Sequence, residues 1–189
     1  MTQTMTRGLA PFADSIIQPM VRDLFARAAA AQAGDYPLVI VEGPPGSGKS
    51  VVVDTALATL TTASRRGPPR FDAPHREALD LSTAPASSPL VIEEPMGYEL
   101  ASIQNALGEL RFRAGIGMAQ LTVLTVQNLS HLKLVADYLP STLVVIKVVR
   151  NRSFSFSYGP RDAVFGDEPG VVTSLNVENF DMIGALLRG

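Results

Sequence analysis

Gly43-Pro-Pro-Gly-Ser-Gly-Lys-Ser50 is the stretch that decides the fold. It fits the pattern G-x-x-x-x-G-K-[ST] at every fixed position, which is typical of a glycine-rich loop whose backbone N–H groups hold phosphate oxygens. In such a loop Lys49 reaches the β- and γ-phosphates, and the Ser50 hydroxyl is a ligand of Mg²⁺. We therefore predict a site for ATP and Mg²⁺. Its nucleotide-binding residues are Gly43, Pro44, Pro45, Gly46, Ser47, Gly48, Lys49, Ser50 and Val51.

The sequence on either side of this loop has the strand and helix that the pattern requires. Residues 37–41 form a short apolar run with β-branched residues, which favours a buried parallel strand. Residues 48–63 are typical of a helix, which would direct its positive end at the phosphates. Further helices are predicted at 98–114 and 129–139. Further strands are predicted at 90–92, 121–126, 142–149, 153–158 and 171–175, with a weak one at 78–81 inside a loop over 64–89.

This alternation predicts an α/β fold in a single domain, with a mainly parallel sheet sandwiched between helices. After residue 150 no helix is expected between the last two strands, so antiparallel strands should extend the sheet near the C-terminus. We divide the chain into a helical N-terminal segment at 1–35 and a core at 36–189. The first contains a predicted amphipathic helical region at 11–34, and the core ends in a hairpin and a short helix at 177–187.

Two acids close the predicted strand Leu90-Val-Ile-Glu-Glu94. An apolar strand that ends in two carboxylates is the second motif of many nucleotide sites, in which one acid holds Mg²⁺ and the next polarises the attacking water. By position Glu93 takes the metal role and Glu94 the role of catalytic base. The alternative is that both acids are solvated at a strand end. The usual first acid is Asp, so Glu93 departs from the pattern.

A third polar strand end follows in Leu121-Thr-Val-Leu-Thr-Val-Gln-Asn128. If this strand lies beside the strand that precedes the loop, Gln127 or Asn128 would contact the γ-phosphate or the attacking water. The alternative for each is a strand-end turn with a capping asparagine. Glu42, just before the loop, is expected to contact the loop backbone. His75 and His131 have no partner at metal-ligand spacing.

Composition sets further limits on function. Of 189 residues 46% are hydrophobic and 18% charged, against about 25% charged in an average soluble domain, which argues against disorder. The net charge of −2 excludes a general electrostatic nucleic-acid binder, and the lack of cysteine excludes disulfides, thiolate catalysis and cysteine-ligated zinc. No secretory signal and no apolar run of about 20 residues is present, so we expect a cytoplasmic protein without a membrane span.

Together the loop, the double acid and the polar strand end resemble the P-loop ATPases of the additional-catalytic-glutamate class. Residues 114–127 are similar to the HerA–FtsK branch, in which a helix that ends in Arg and Gly leads to an apolar strand that finishes in Gln. The segment 139–148 also resembles that branch. The resemblance covers residues 36–175 and implies a RecA-like domain. A chain of this size resembles viral genome-packaging ATPases. An expected location is then the cytoplasm or, for a viral protein, the virion.

The resemblance implies that the active site is shared between subunits of a ring, most often a hexamer. An arginine of the neighbouring subunit completes such sites, because a guanidinium is always charged and binds phosphate through two parallel hydrogen bonds. Arg150 and Arg152 are the favoured candidates, with Lys147 assisting. Arg111 and Arg113 are the other pair. For each arginine the alternative is a solvated or salt-bridging role.

Strand alternation would place Arg150, Arg152, Phe154, Phe156 and Tyr158 on one face, where they would bind nucleic acid or pack in the core. The predicted function is ATP hydrolysis coupled to nucleic-acid translocation in a ring-forming genome-packaging or DNA-transfer motor. A capsid or other protein would dock such a ring. The alternatives are a nucleotide-dependent switch or assembly ATPase that acts on a protein partner, and a small-molecule kinase.

Overall fold

A computed structural model of the chain describes residues 35–60, 70–72, 78–82, 84–85, 88–149, 153–165 and 173–177. The helices predicted within residues 11–34 and after residue 177 lie outside these ranges. The division of the chain at residue 35 therefore stays a prediction.

Seven strands form one sheet in the order β2-β3-β4-β1-β5-β6-β7. The strands β2, β3, β4, β1 and β5 run parallel to one another, whereas β6 is antiparallel to β5 and β7 is antiparallel to β6. This confirms the predicted α/β fold with a mainly parallel sheet. The strands are β1 (Leu38–Glu42), β2 (Arg70–Asp72), β3 (Leu90–Glu93), β4 (Thr122–Val126), β5 (Thr142–Val149), β6 (Ser153–Pro160) and β7 (Thr173–Val177).

In the described ranges, three α-helices and two 3₁₀ helices accompany the sheet. The α-helices are α1 (Lys49–Leu60), α2 (Leu100–Gly115) and α3 (Arg161–Phe165), and the 3₁₀ helices span Pro95–Gly97 and Leu129–Tyr138. Among the described residues, no helix has the length and apolar character needed to cross a bilayer.

The central strands β1, β3, β4 and β5 are buried on both faces, which explains why they are continuous apolar runs. Leu38 and Ile40 of β1 share one core cluster with Ile103 and Leu107 of α2 and with the long 3₁₀ helix. Successive side chains of a strand point to opposite faces, so the buried Val39 and Val41 face the other layer, where α1 packs on β1 and β4. Helices therefore cover both faces of the sheet.

Parallel strands give the sheet two functionally different edges. We call the edge at which β1, β3, β4 and β5 end the carboxyl edge, and the edge at which they begin the amino edge. The glycine-rich loop follows β1 and therefore lies at the carboxyl edge. Strand β4 lies between β1 and β3, so the strand that precedes Gln127 is the neighbour of the loop strand, as predicted.

Two local predictions were wrong. Residues 78–81 are not a strand. Leu79 and Leu81 are buried in alternation, as in a strand, but the Leu79 N–H donates to the Ser102 hydroxyl of α2, and the extra strand is Arg70–Asp72 instead. The five-residue helix α3 lies between β6 and β7, where no helix was predicted. The helix predicted at 129–139 is present, as a 3₁₀ helix at Leu129–Tyr138.

Candidate nucleotide-binding site

The glycine-rich loop is fixed at its first residue by the neighbouring strands. The Gly43 N–H donates to the Val126 carbonyl oxygen of β4 at 3.0 Å. A Cβ at Gly43 would lie 2.6 Å from the Val148 carbonyl oxygen of β5 and 2.6 Å from the Ser47 hydroxyl oxygen. Because neither distance leaves room for a side chain, only glycine allows the chain to leave β1 between β4 and β5.

Farther along the loop, glycine is required for its backbone conformation. Gly46 and Gly48 have φ angles of 73° and 101°, a region that residues with a Cβ rarely adopt. The Ser47 N–H donates to the Pro44 carbonyl oxygen at 3.1 Å, which closes a turn around Gly46. The Val52 N–H donates to the Gly48 carbonyl oxygen at 3.1 Å and begins the helical hydrogen bonding. The loop thus passes directly into the first turn of α1, which contains Lys49, Ser50 and Val51.

Lys49 reaches back over the loop. Its Nζ donates to the Gly43 carbonyl oxygen at 2.6 Å and to the Pro44 carbonyl oxygen at 3.4 Å, and it lies 3.5 Å from the Glu94 Oε1. The Lys49 side chain is only 11% exposed. A single ammonium is therefore held at the centre of the predicted phosphate site, beside the carboxylate predicted to act as base.

Glu94 has an unusual backbone conformation. Its φ and ψ angles are 46° and 59°, and it is the one non-glycine residue with positive φ in the described part of the chain. Strain of this kind concentrates at functional sites, where the surrounding structure fixes it. Here the Glu94 N–H donates to the Thr125 carbonyl oxygen of β4, and the Glu94 carbonyl oxygen accepts from the Gly97 N–H, both at 2.8 Å. The backbone turn directs the carboxylate toward Lys49.

The end of β4 contributes its main chain to the site. The Gln127 N–H donates to Glu94 Oε2 at 3.2 Å, so the carboxylate bridges Lys49 and β4. The Asn128 side chain caps the following 3₁₀ helix, because its Oδ1 accepts from the Ser130 N–H at 2.9 Å. Capping was the alternative given for Asn128. The Gln127 side chain is exposed at the same edge, and its role as a phosphate sensor stays a prediction.

The prediction that Glu42 contacts the backbone of the glycine-rich loop was wrong, because its carboxylate bonds to residues after β4 and in β5. Its Oε1 accepts from the Leu129 N–H at 3.2 Å, and its Oε2 lies 3.6 Å from the Lys147 Nζ. The reason is the strand order, since β4 and β5 flank β1 and bring Leu129 and Lys147 to the end of β1. Sequence reasoning had no means of finding this pair, which depends on long-range strand neighbours.

A divalent cation would depend on the nucleotide for most of its ligands. Among the described residues no group of three or more His, Cys, Asp or Glu side chains could hold a metal. Mg²⁺ usually keeps several waters and binds through one or two protein groups plus substrate phosphates. Ser50, exposed at the first turn of α1, and Glu93, half-buried at the end of β3, are oxygen donors that fit this requirement.

Arg111 and Arg113 both form contacts within the chain rather than at the nucleotide site. Arg111 donates to the carbonyl oxygens of Asp137 at 3.1 Å and Leu139 at 2.7 Å. Arg113 lies 2.9 Å from Glu109 and donates to the Leu81 carbonyl oxygen at 3.4 Å. These contacts correspond to the structural alternative for both residues. Arg150 and Arg152, the favoured pair, lie outside the described residues.

Arg161 joins Arg111 at the amino edge. Its Nη1 donates to the carbonyl oxygens of Ala136, Asp137 and Leu139, and the Arg161 main-chain N–H donates to the Ser141 carbonyl oxygen. Cationic side chains at these carbonyls satisfy the end of the long 3₁₀ helix. We call Arg111 and Arg161 with these carbonyls the arginine clamp.

Two residues that precede β1 complete the amino edge. The Tyr36 hydroxyl donates to the Tyr138 carbonyl oxygen at 3.1 Å, and Asp35 accepts from both the Ser141 N–H and its hydroxyl. Asp35 also lies 4.0 Å from Arg111. Burial raises the pKa of Tyr36 well above its ordinary value, since the phenolate would be desolvated.

Comparisons with known proteins give only remote similarities. No protein family and no curated protein matches the chain. The N-terminal domain of the zonular occludens toxin from Neisseria meningitidis superposes with a TM-score of 0.41 and 9% identity, over 80% of this chain and 98% of that one. An inward-facing putative metal-chelate type ABC transporter gives 0.38 and 12%, over 80% and 89%. No functional argument rests on similarities of this size.

Proposed function

We propose that the chain is a Mg²⁺-dependent ATPase of the RecA-like P-loop type. The observation that carries the proposal is the position of the Glu94 carboxylate, which follows β3 and lies 3.5 Å from the Lys49 Nζ at the carboxyl edge of the sheet. A carboxylate this close to the phosphate-binding lysine is within reach of a water that attacks the γ-phosphate. A loop that only bound phosphate would need no carboxylate there.

In this proposal each residue has a distinct chemical task. Loop N–H groups and Lys49 bind the phosphates and stabilise negative charge that develops during transfer. Glu94 accepts a hydrogen bond from the attacking water and orients it, and Gln127 or Asn128 reports the γ-phosphate. Ser50 and Glu93 would hold Mg²⁺, which supplies neutralisation of phosphate charge when bound.

We further propose that hydrolysis drives nucleic-acid translocation in a homo-oligomeric ring, as in genome-packaging or DNA-transfer motors. Two placements support this. Strand β5 ends at the carboxyl edge and leads directly to Arg150 and Arg152 in the sequence, so these arginines follow the strand next to the loop strand. Lys147 is 55% exposed at the same edge, where a neighbouring subunit or a phosphate backbone would meet it.

The decisive experiment measures particle mass with and without ATP and Mg²⁺, together with ATPase rate against added DNA or RNA. A ring that forms with nucleotide and is stimulated by nucleic acid supports the motor. An active monomer whose rate ignores nucleic acid contradicts it. ATP-dependent binding of a protein without such stimulation would instead indicate the switch or assembly ATPase.

A mixing experiment tests whether sites are shared. Arg150→Ala or Arg152→Ala subunits should bind ATP and hydrolyse it slowly, and Glu94→Gln subunits should also bind ATP without turnover. Mixed rings would regain activity, because some sites would pair an intact Glu94 with an intact arginine. No recovery at any mixing ratio argues against shared sites. Phosphate transfer to a nucleoside or metabolite rather than to water would indicate a kinase.

A further inference from the structure

The Lys49 ammonium has its donors directed at oxygens of the chain itself. Two are the Gly43 and Pro44 carbonyl oxygens, and the third partner is the Glu94 carboxylate at 3.5 Å. Two hydrogen bonds and one ion pair therefore surround an ammonium that has three donors. Of the three partners only Glu94 carries a full negative charge, and only Glu94 contacts Lys49 through a side chain that can rotate away.

Glu94 is held so that its side chain can move while its backbone stays. The backbone is fixed by hydrogen bonds to Thr125 and Gly97, and the other carboxylate oxygen accepts from the Gln127 N–H. The Glu94 side chain is 37% exposed, so a ligand can reach the ion pair from solvent. Rotation of the Glu94 side chain would move Oε1 away from Lys49 and make one ammonium donor accessible to a ligand, without disturbing β3 or β4.

We propose that Glu94 is a displaceable occupant of the phosphate site. In the nucleotide-free chain it neutralises Lys49. The β-phosphate of an arriving nucleoside di- or triphosphate replaces it on the ammonium, and Glu94 remains on the Gln127 N–H, in position for its role in hydrolysis. The inference rests on the proposed nucleotide site and adds a regulation of it, namely that the base is withheld from water until a phosphate arrives.

Competition of this kind lowers the affinity for nucleotide. Partly exposed ion pairs are weak, so removal of the competing carboxylate should tighten binding by about two- to fivefold, equivalent to about 0.4–1 kcal/mol. This change in affinity concerns nucleotide binding alone, so it can be measured without metal and without hydrolysis.

The test titrates the full-length chain with ADP in the presence of EDTA. Glu94→Gln should bind ADP about two- to fivefold more tightly than the parent chain. Glu99→Gln, an exposed acid that precedes α2, is the matched control and should leave the affinity unchanged. Equal or weaker binding by Glu94→Gln overturns the inference. If the parent chain itself fails to bind ADP and ATP, the proposed function falls, and that result differs from the first.

A second variant separates direct contact from general charge repulsion. Glu94→Asp keeps the negative charge but is shorter by one methylene, so it cannot span the distance to Lys49. If contact matters, Glu94→Asp tightens ADP binding as Glu94→Gln does. If only the charge matters, Glu94→Asp binds like the parent chain, and the displaceable ion pair is contradicted. Thermal unfolding of each variant checks that the fold is retained.

Discussion

The carboxyl and amino edges of this sheet use cationic side chains in opposite ways. At the carboxyl edge Lys49 pairs with a partly exposed carboxylate, which an anionic ligand replaces in our proposal. At the amino edge Arg111 and Arg161 donate to main-chain carbonyls that no ligand would displace. The partner of a cation therefore distinguishes a binding role from a structural one better than the residue type does.

The largest effect is expected where the cation at the carboxyl edge is removed altogether. Lys49→Ala should lower kcat/KM for ATP by roughly a thousandfold, since it removes a preorganised charge at the phosphates. The stability of the chain should stay close to that of the parent. Binding of a fluorescent ATP analogue and steady-state hydrolysis measure the effect.

Lys133→Ala is the matched control, since Lys133 is exposed on the long 3₁₀ helix. Its activity should equal that of the parent chain. Equal losses in the two variants would show that positive charge in general, rather than the loop lysine, supports nucleotide binding.

A smaller effect is expected from Glu94→Gln, which keeps the shape of the side chain. ATP should still bind, whereas turnover should fall by about a hundredfold because the amide is a poor base. Binding titrations measure the affinity for ATP, and steady-state hydrolysis assays measure the turnover. An equal loss of ATP binding and turnover would mean that Glu94 holds the site together rather than activating water.

At the amino edge the same kind of change should affect stability alone. Arg111→Ala leaves the Asp137 and Leu139 carbonyls without this donor, and we expect a loss of about 1.5–3 kcal/mol in the free energy of unfolding. Urea unfolding measures it. ATP hydrolysis per folded molecule should stay within about twofold of the parent. Full stability with lost hydrolysis would instead assign Arg111 to the active site of a neighbour.

The smallest effect concerns Tyr36 and appears in alkali. The raised pKa of Tyr36 means that the folded chain keeps a proton which the unfolded chain loses above about pH 10. This contribution to stability is complete below pH 10 and is lost as the pH rises further. One unit above pH 10 the loss is about 1.4 kcal/mol.

Tyr36→Phe should therefore weaken the fall in stability between pH 9 and 11, although it costs about 1 kcal/mol at neutral pH through the lost hydrogen bond to Tyr138. Unfolding midpoints across this range test the effect. Tyr138→Phe is the control, because it keeps the main-chain acceptor. An identical alkaline slope in the Tyr36→Phe chain and the parent would contradict the assignment.

The features that sequence predicted are those encoded locally. The apolar run of β1, the loop glycines and the double acid after β3 are each contained in a few consecutive residues, and together they indicated the sheet and the candidate site. Arg70–Asp72 was missed because three residues, of which one is apolar, carry no strand pattern. The helix at 129–139 was predicted without its 3₁₀ geometry, because over ten residues its hydrophobic spacing resembles that of an α-helix.

Contacts between distant parts of the chain were beyond prediction. The pairing of Glu42 with Lys147 needs β1 and β5 to be neighbours, and the clamp role of Arg111 needs α2 to end beside the long 3₁₀ helix. Sequence motifs name the residues of a site but not the strand order that brings them together. The positive φ of Glu94 was also beyond prediction, because it depends on the hydrogen bond from the Glu94 N–H to Thr125 of β4.

The two reasons for glycine in the phosphate loop imply different rules for sequence divergence. Gly43 faces the Val148 carbonyl oxygen with no space for any side chain, so every substitution there should disrupt the join between β1 and α1. At Gly46 a Cβ would meet open space, and only the positive φ restricts the position. Asparagine tolerates that conformation better than other residues do. Related chains should therefore vary at position 46, toward asparagine first, long before they vary at position 43.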